Sequence, residues 1–178
     1  RGGRLTMDIV NRRFVARNRF RNVIQAFTGI DWKWTSKGKT QIRTIVALPV
    51  NRQPISTAEL LKNDVSFDKE KTDQIFWGVF LTIPNTVWED TCEIFMFNLH
   101  EKDGSNFQTK NREIYTPGFR LYRPAKNGSF DYEWESMFQF GTVRETTSSQ
   151  DIGDLDHFAF FTHLQIGYSF SGPWSPRL

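Results

Sequence analysis

Aromatic and β-branched residues collect in six runs along the chain, at 41–50, 74–83, 93–99, 113–122, 129–140 and 157–170. Such runs, bounded by turn-forming residues, predict β-strands. The punctuation is clear: Ser36-Lys37-Gly38 precedes the first run, and Pro84-Asn85, Asp103-Gly104, Pro124 to Gly128 and a polar stretch over 146–154 follow later ones. Ser56 or Thr57 ahead of Ala58-Glu59-Leu60-Leu61-Lys62 predicts one short capped helix in a loop. The leading segment is ambiguous. Ile9, Val10, Phe14, Phe20, Ile24 and Phe27 crowd one side of a helical wheel. At period two, Arg13, Arg17, Arg19 and Arg21 oppose Phe14, Ala16 and Phe20 instead. The spacing favours a helix for the first half and does not decide the second.

Strands spaced about 15 to 20 residues apart, with connections longer than tight hairpins, predict a mainly β fold. The expected architecture is a two-sheet antiparallel sandwich, a jelly roll, over residues 35–178, preceded by a basic N-terminal arm with a leading helix or strand over 1–34. An immunoglobulin-like sandwich is the structural alternative, but Cys92 stands alone and cannot supply that fold's inter-sheet bridge. Phe158, Phe160 and Phe161 must lie on both faces of one strand. Their strand is expected to be covered on both sides, by other subunits or by the leading segment. No apolar run nears the roughly 20 residues of a spanning helix, so no membrane partner is expected. No signal-like succession opens the chain, and the single cysteine points to no oxidising compartment.

Charge divides the molecule in two. Residues 1–52 carry 12 Lys and Arg against Asp8 and Asp31, a net of +10, and the rest carries 11 against 18 acids, a net of −7. Arg1, Arg4, Arg12, Arg13, Arg17, Arg19 and Arg21 precede any lysine. Arginine's planar five-donor fork suits phosphate, so these residues, with Lys33, Lys37 and Lys39, are candidate nucleic-acid contacts. Trp32 and Trp34 share a face if extended and are candidate platforms for unpaired bases.

Asp131, Glu133 and Glu135 alternate along a strand and would line up three carboxylates on one face. The pattern resembles that of laminarinase-type jelly-roll glycosidases, with the order of the acids changed, and that resemblance implies hydrolysis using Glu133 and Glu135. Asp151, Asp154 and Asp156 form an acidic loop that could offer oxygen ligands to an intersubunit cation, though the spacing is not that of an EF-hand. His100, His157 and His163 are too dispersed to share a metal. No catalytic motif, cofactor site or phosphate loop is found, and no enzymatic activity is expected.

The arginine-rich leader, Arg1-Gly2-Gly3-Arg4 opening, β-rich body and Gly172-Pro173-Trp174-Ser175-Pro176 ending together resemble the small icosahedral virus coat proteins of the jelly-roll type. The resemblance implies a capsid subunit of the virion, assembled in host cytoplasm or nucleus. It would self-associate into a large homo-oligomer and package single-stranded nucleic acid, RNA rather than DNA, on its basic arm. A movement or nucleic-acid-coating protein that forms no shell is the second reading, and the Glu133/Glu135 glycosidase the third.

Overall fold

The computed structural model describes residues 1–17, 24–54, 56–86, 89–104, 108–148, 150–172, 174 and 176–178. Among the described residues the strands are β1 (Gly2–Leu5), β2 (Phe27–Thr35), β3 (Gln41–Asn51), β4 (Lys69–Glu70), β5 (Gln74–Ile83), β6 (Thr91–Glu101), β7 (Glu113–Arg123), β8 (Ser129–Arg144) and β9 (Asp154–Ser169), with one helix, α1 (Thr57–Leu61). The six predicted strands are β3 and β5 to β9. The short helix is also present, and Ser56 caps it through a reciprocal capping box with Glu59. Residues 27–35, at the end of the leading segment, form β2, and one expectation for the leader is corrected. Residues 8–17 are not helical: Val10 and Arg12 take left-handed φ values of 53° and 69°, and Ile9 bridges Val15 across a tight loop.

The antiparallel β class stands, but the arrangement differs from two facing sheets. All nine strands form one sheet in the order β1-β2-β3-β5-β6-β7-β8-β9, with the short β4 beside β3. Each strand of that path thus pairs with its next along it, up and down, in unbroken antiparallel register. A jelly roll needs connections that cross between layers; here every long connection returns to the neighbouring strand. The sheet curls, because residues from β2 and β3 (Phe27, Pro49) and from β8 and β9 (Val143, His157) line one cavity. β1 and β9 are its two edges, and they do not pair with each other among the described residues.

The pleat sorts the side chains by chemistry. On the inner face, Ile45, Ala47, Phe76, Phe80, Phe95, Phe97 and Met137 make one cluster. Charged and polar residues such as Asp31, Arg43, Glu93, Arg120, Glu133, Glu135 and Gln139 extend the same face by register. The outer face is apolar and bare. Ile30, Trp32, Trp34, Val46, Val79, Ile94, Trp134, Phe138, Phe140, Phe158, Phe160, Leu164 and Ile166 are all exposed, Phe158 and Phe160 at 71%. Burial in a β-sandwich would put the aromatics inside and the acids outside; this sheet does the reverse over much of its width.

The connections are equally asymmetric. At one rim they are short, 36–40, 84–90 and 124–128, and at the other long, 6–26, 52–73, 102–112 and 145–153.

Candidate functional site

The first part of the β1–β2 connection, residues 6–17, does not stay at the long-loop rim. It turns into the concavity, where Met7, Ile9 and Val15 are buried against Phe76, Phe80, Phe97 and Met137, and Phe14 lies 4.8 Å from the Phe97 ring. Three apolar side chains in a segment otherwise full of arginine explain the placement: they complete the inner aromatic cluster, and the arginines are carried in with them.

The buried charge then finds partners. Arg13 donates through Nη1 to both Glu133 and Glu135, whose carboxylates also accept from Asn11. Glu135 is only 1% exposed, so its charge requires this pairing. Burial disfavours the Arg13 cation, but the two carboxylates outweigh that and raise its pKa further. Arg120 reaches Glu133 at 2.9 Å and Glu93 at 3.1 Å, with its guanidinium 4.0 Å over the Tyr122 ring. His163 faces Glu133 from β9 at 4.0 Å. Arg17 binds Asp8 through Nε at 2.9 Å, and Arg12 approaches the same carboxylate at 3.4 Å. The Arg17 backbone N–H is the main cause that lowers the Asp8 pKa below its ordinary 3.8.

The inward segment separates two chambers. Towards the long-loop rim is a cavity of about 770 Å³ with Arg12, Arg13, Lys110, Arg112, Gln139 and His157 among its walls. Towards the short-turn rim is one of about 590 Å³ bounded by Arg1, Asp8, Arg17, Asp31, Lys33 and Arg43. Asp31, buried on β2, takes two hydrogen bonds from Arg43, at 2.8 and 3.0 Å, and another from Arg1. Both chambers therefore carry cations, and the Glu93, Glu133 and Glu135 carboxylates gather on β6 and β8, with Arg120 of β7 between them.

The residues singled out from sequence are scattered by this geometry. Arg12, Arg13, Arg17 and Lys33 face the interior; Arg1 pairs with Asp31, and Arg4 with Glu70 at 2.7 Å near the long-loop rim. Lys37 and Lys39 sit in the short turn at the opposite rim. Arg19 and Arg21 lie outside the described residues. Trp32 and Trp34 point away from all of these, on the bare outer face. Glu133 and Glu135 do share a face, as the alternation predicts, yet both are committed to one guanidinium. Asp131, on the same face, is bound by Arg177. Asp151 caps the turn at Thr146, with Asp154 and Asp156 in β9, and no metal-holding cluster occurs among the described residues.

The sheet is thus a β-wall with an exposed apolar outer face and an ion-paired inner face. The alginate export family model matches residues 1–178, and the chain belongs to that family. No curated protein and no solved structure matches the chain. Alginate export proteins are outer-membrane β-barrel porins. The family assignment overturns the coat-protein resemblance and, with it, the capsid function, the RNA partner, the shell of identical copies and the virion location. The expectation of no membrane partner is overturned as well. It rested on the absence of a long apolar helix. No described helix is long and apolar enough to cross a bilayer, but a β-strand crosses with about 9 to 11 residues of which only alternate ones face lipid.

Proposed function

We propose that this chain forms a wall of an outer-membrane β-barrel through which an acidic polysaccharide, a polyuronate of the alginate type, passes along the charged interior. The observation that carries the reading is the inversion of the two faces: exposed Trp, Phe, Leu and Ile outside, ion-paired Arg, Asp and Glu inside. In water that outer face would be one continuous sticky surface; in lipid it is the favourable one. Strands β5 to β9, of 10 to 16 residues, are long enough to cross a hydrocarbon core with tilt. Short turns at one rim and long connections at the other match the usual periplasmic and extracellular ends of such barrels, which orients the chain. Lipid does not tolerate an unpaired strand edge, so β1 and β9 each take a further strand in the membrane.

The arginines of the inward segment give the interior its selectivity. Guanidinium binds a uronate carboxylate as it binds a protein one, so a polymer with one carboxylate per sugar meets successive partners in Arg12, Arg13 and the chambers on either side. The test is conductance of the purified protein in planar bilayers with oligouronates in one compartment. Reversible blocks by the acidic oligomer, and none by a neutral glucan of equal length, are expected. Equal effects of the two, or no channel, would refute the reading.

A further inference from the structure

The charged cluster on β6 to β8 against which the inward segment packs is not purely cationic. Arg13 and Arg120 meet three carboxylates there, Glu93, Glu133 and Glu135, and His163 stands beside Glu133. Both Arg13 hydrogen bonds run through Nη1, on the side of the β8 acids, and the residue also lines the large cavity. A polyanion that takes Arg13 must compete with Glu133 and Glu135 for the same guanidinium.

Resting on the transport reading above, we propose that Glu133 and Glu135 are specificity-determining residues that limit how tightly the interior holds its polyanion. Conduction requires sites that bind well enough to admit a ligand and weakly enough to release it. A ring of bare arginines deep in a low-dielectric wall would trap a chain of carboxylates. With Glu133 and Glu135 in place, each uronate that leaves Arg13 is replaced at once by a protein carboxylate, so no guanidinium is left buried and unpaired at any step. The two acids act as resident stand-ins for the polymer, and passage becomes an exchange of one carboxylate for another.

The experiment is the duration of single blocking events by a defined oligomannuronate in planar bilayers. In E133Q/E135Q the blocks should last about fivefold to tenfold longer, because Arg13 loses its two carboxylate competitors. Open-channel conductance and block frequency should change by less than about twofold, a split that general loosening of the wall would not give. E133D/E135D keeps both charges and should behave as the parent protein. Unchanged or shorter blocks in E133Q/E135Q overturn the proposal. Should that variant not insert, R13Q reports with the opposite sign: the polymer then loses the guanidinium it would exchange onto, Glu135 keeps its charge without a cationic partner, and blocks shorten, whereas unchanged duration overturns the assignment. A parent channel that no oligouronate blocks removes the transport reading itself; a blocked parent with unresponsive variants removes only the role of these acids.

Discussion

Arg144 ends β8 buried, and its guanidinium reaches Asp103 at 2.8 and 3.0 Å, the Thr146 carbonyl at 3.0 Å and the carbonyls of Thr109 and Thr147. One side chain thereby ties the 102–112 connection to the 145–153 connection at the long-loop rim. R144M should leave the strands intact and open both connections to protease, read as new cleavage within them. The Arg144 hydrogen bond is the leading cause that holds the Asp103 carboxyl below its ordinary 3.8. A depressed carboxyl stabilises the folded form above that value and loses the contribution as pH falls through and below it. Protease protection of these connections should therefore be full at neutral pH and weaken below about pH 4; equal protection at pH 7 and pH 3 would contradict the clamp. Gly118 makes a second residue-scale prediction: a Cβ there would stand 2.4 Å from the Phe95 ring and 3.0 Å from the Met137 Cβ. G118A should cost about 1 to 3 kcal/mol of unfolding free energy, measured by denaturant titration in detergent. At this scale the sequence shows which face a residue is on and not what it meets. The common face of Glu133 and Glu135 is legible from their spacing. Their partner Arg13 is not, since it arrives from a segment more than a hundred positions away, carried inward by Met7, Ile9 and Val15.

At the scale of elements, strand identity was readable and strand environment was not. Runs rich in aromatic and β-branched residues mark β3 and β5 to β9 correctly, because those residues fit a pleated surface whatever covers it. What covers it depends on which alternate set is apolar. Along β8, Tyr132, Trp134, Phe138 and Phe140 alternate with Asp131, Glu133, Glu135 and Gln139, and in a protein assumed to sit in water this reads as aromatics inward. The aromatics of β9, apolar on both faces, were the signal that something other than water meets the outside. The alternation of short and long connections was a second. The prediction for the element is a contrast between faces. F160R, mid-way along β9 on the outer face, should destabilise the bilayer-embedded protein by about 2 to 4 kcal/mol. Q139R, on the inner face of β8 opposite Ala159, should change stability by less than about 1 kcal/mol. Similar losses at both sites, in unfolding from lipid vesicles, would mean that the two faces meet the same solvent.

Over the whole molecule, the charge asymmetry that suggested a free cationic tether is resolved within the fold. Arg1, Arg4, Arg12, Arg13 and Arg17 each lie against a carboxylate, at Asp31, Glu70, Asp8, the Glu133/Glu135 pair and Asp8 again. Two of these pairs, Arg4 with Glu70 and Arg13 with Glu133 and Glu135, join the basic leader to acids of the body; the other three close within residues 1–52 on Asp8 and Asp31. Strand spacing could not distinguish a sandwich from a curled single sheet, because both use antiparallel strands with loops of similar length and differ only in which strand each returns to. The proposed function requires that the outer face meet lipid and the inner face water. Spin labels placed singly at 132 to 140 of β8, with Cys92 replaced by Ala and the protein in vesicles, test it directly through collision with oxygen and with a water-soluble nickel chelate. The exposed outer positions 134, 138 and 140 should favour oxygen and the inner positions 133 and 139 the chelate, while 135 to 137, which are buried, should be reached by neither; uniform chelate accessibility along the strand would contradict the two-faced wall.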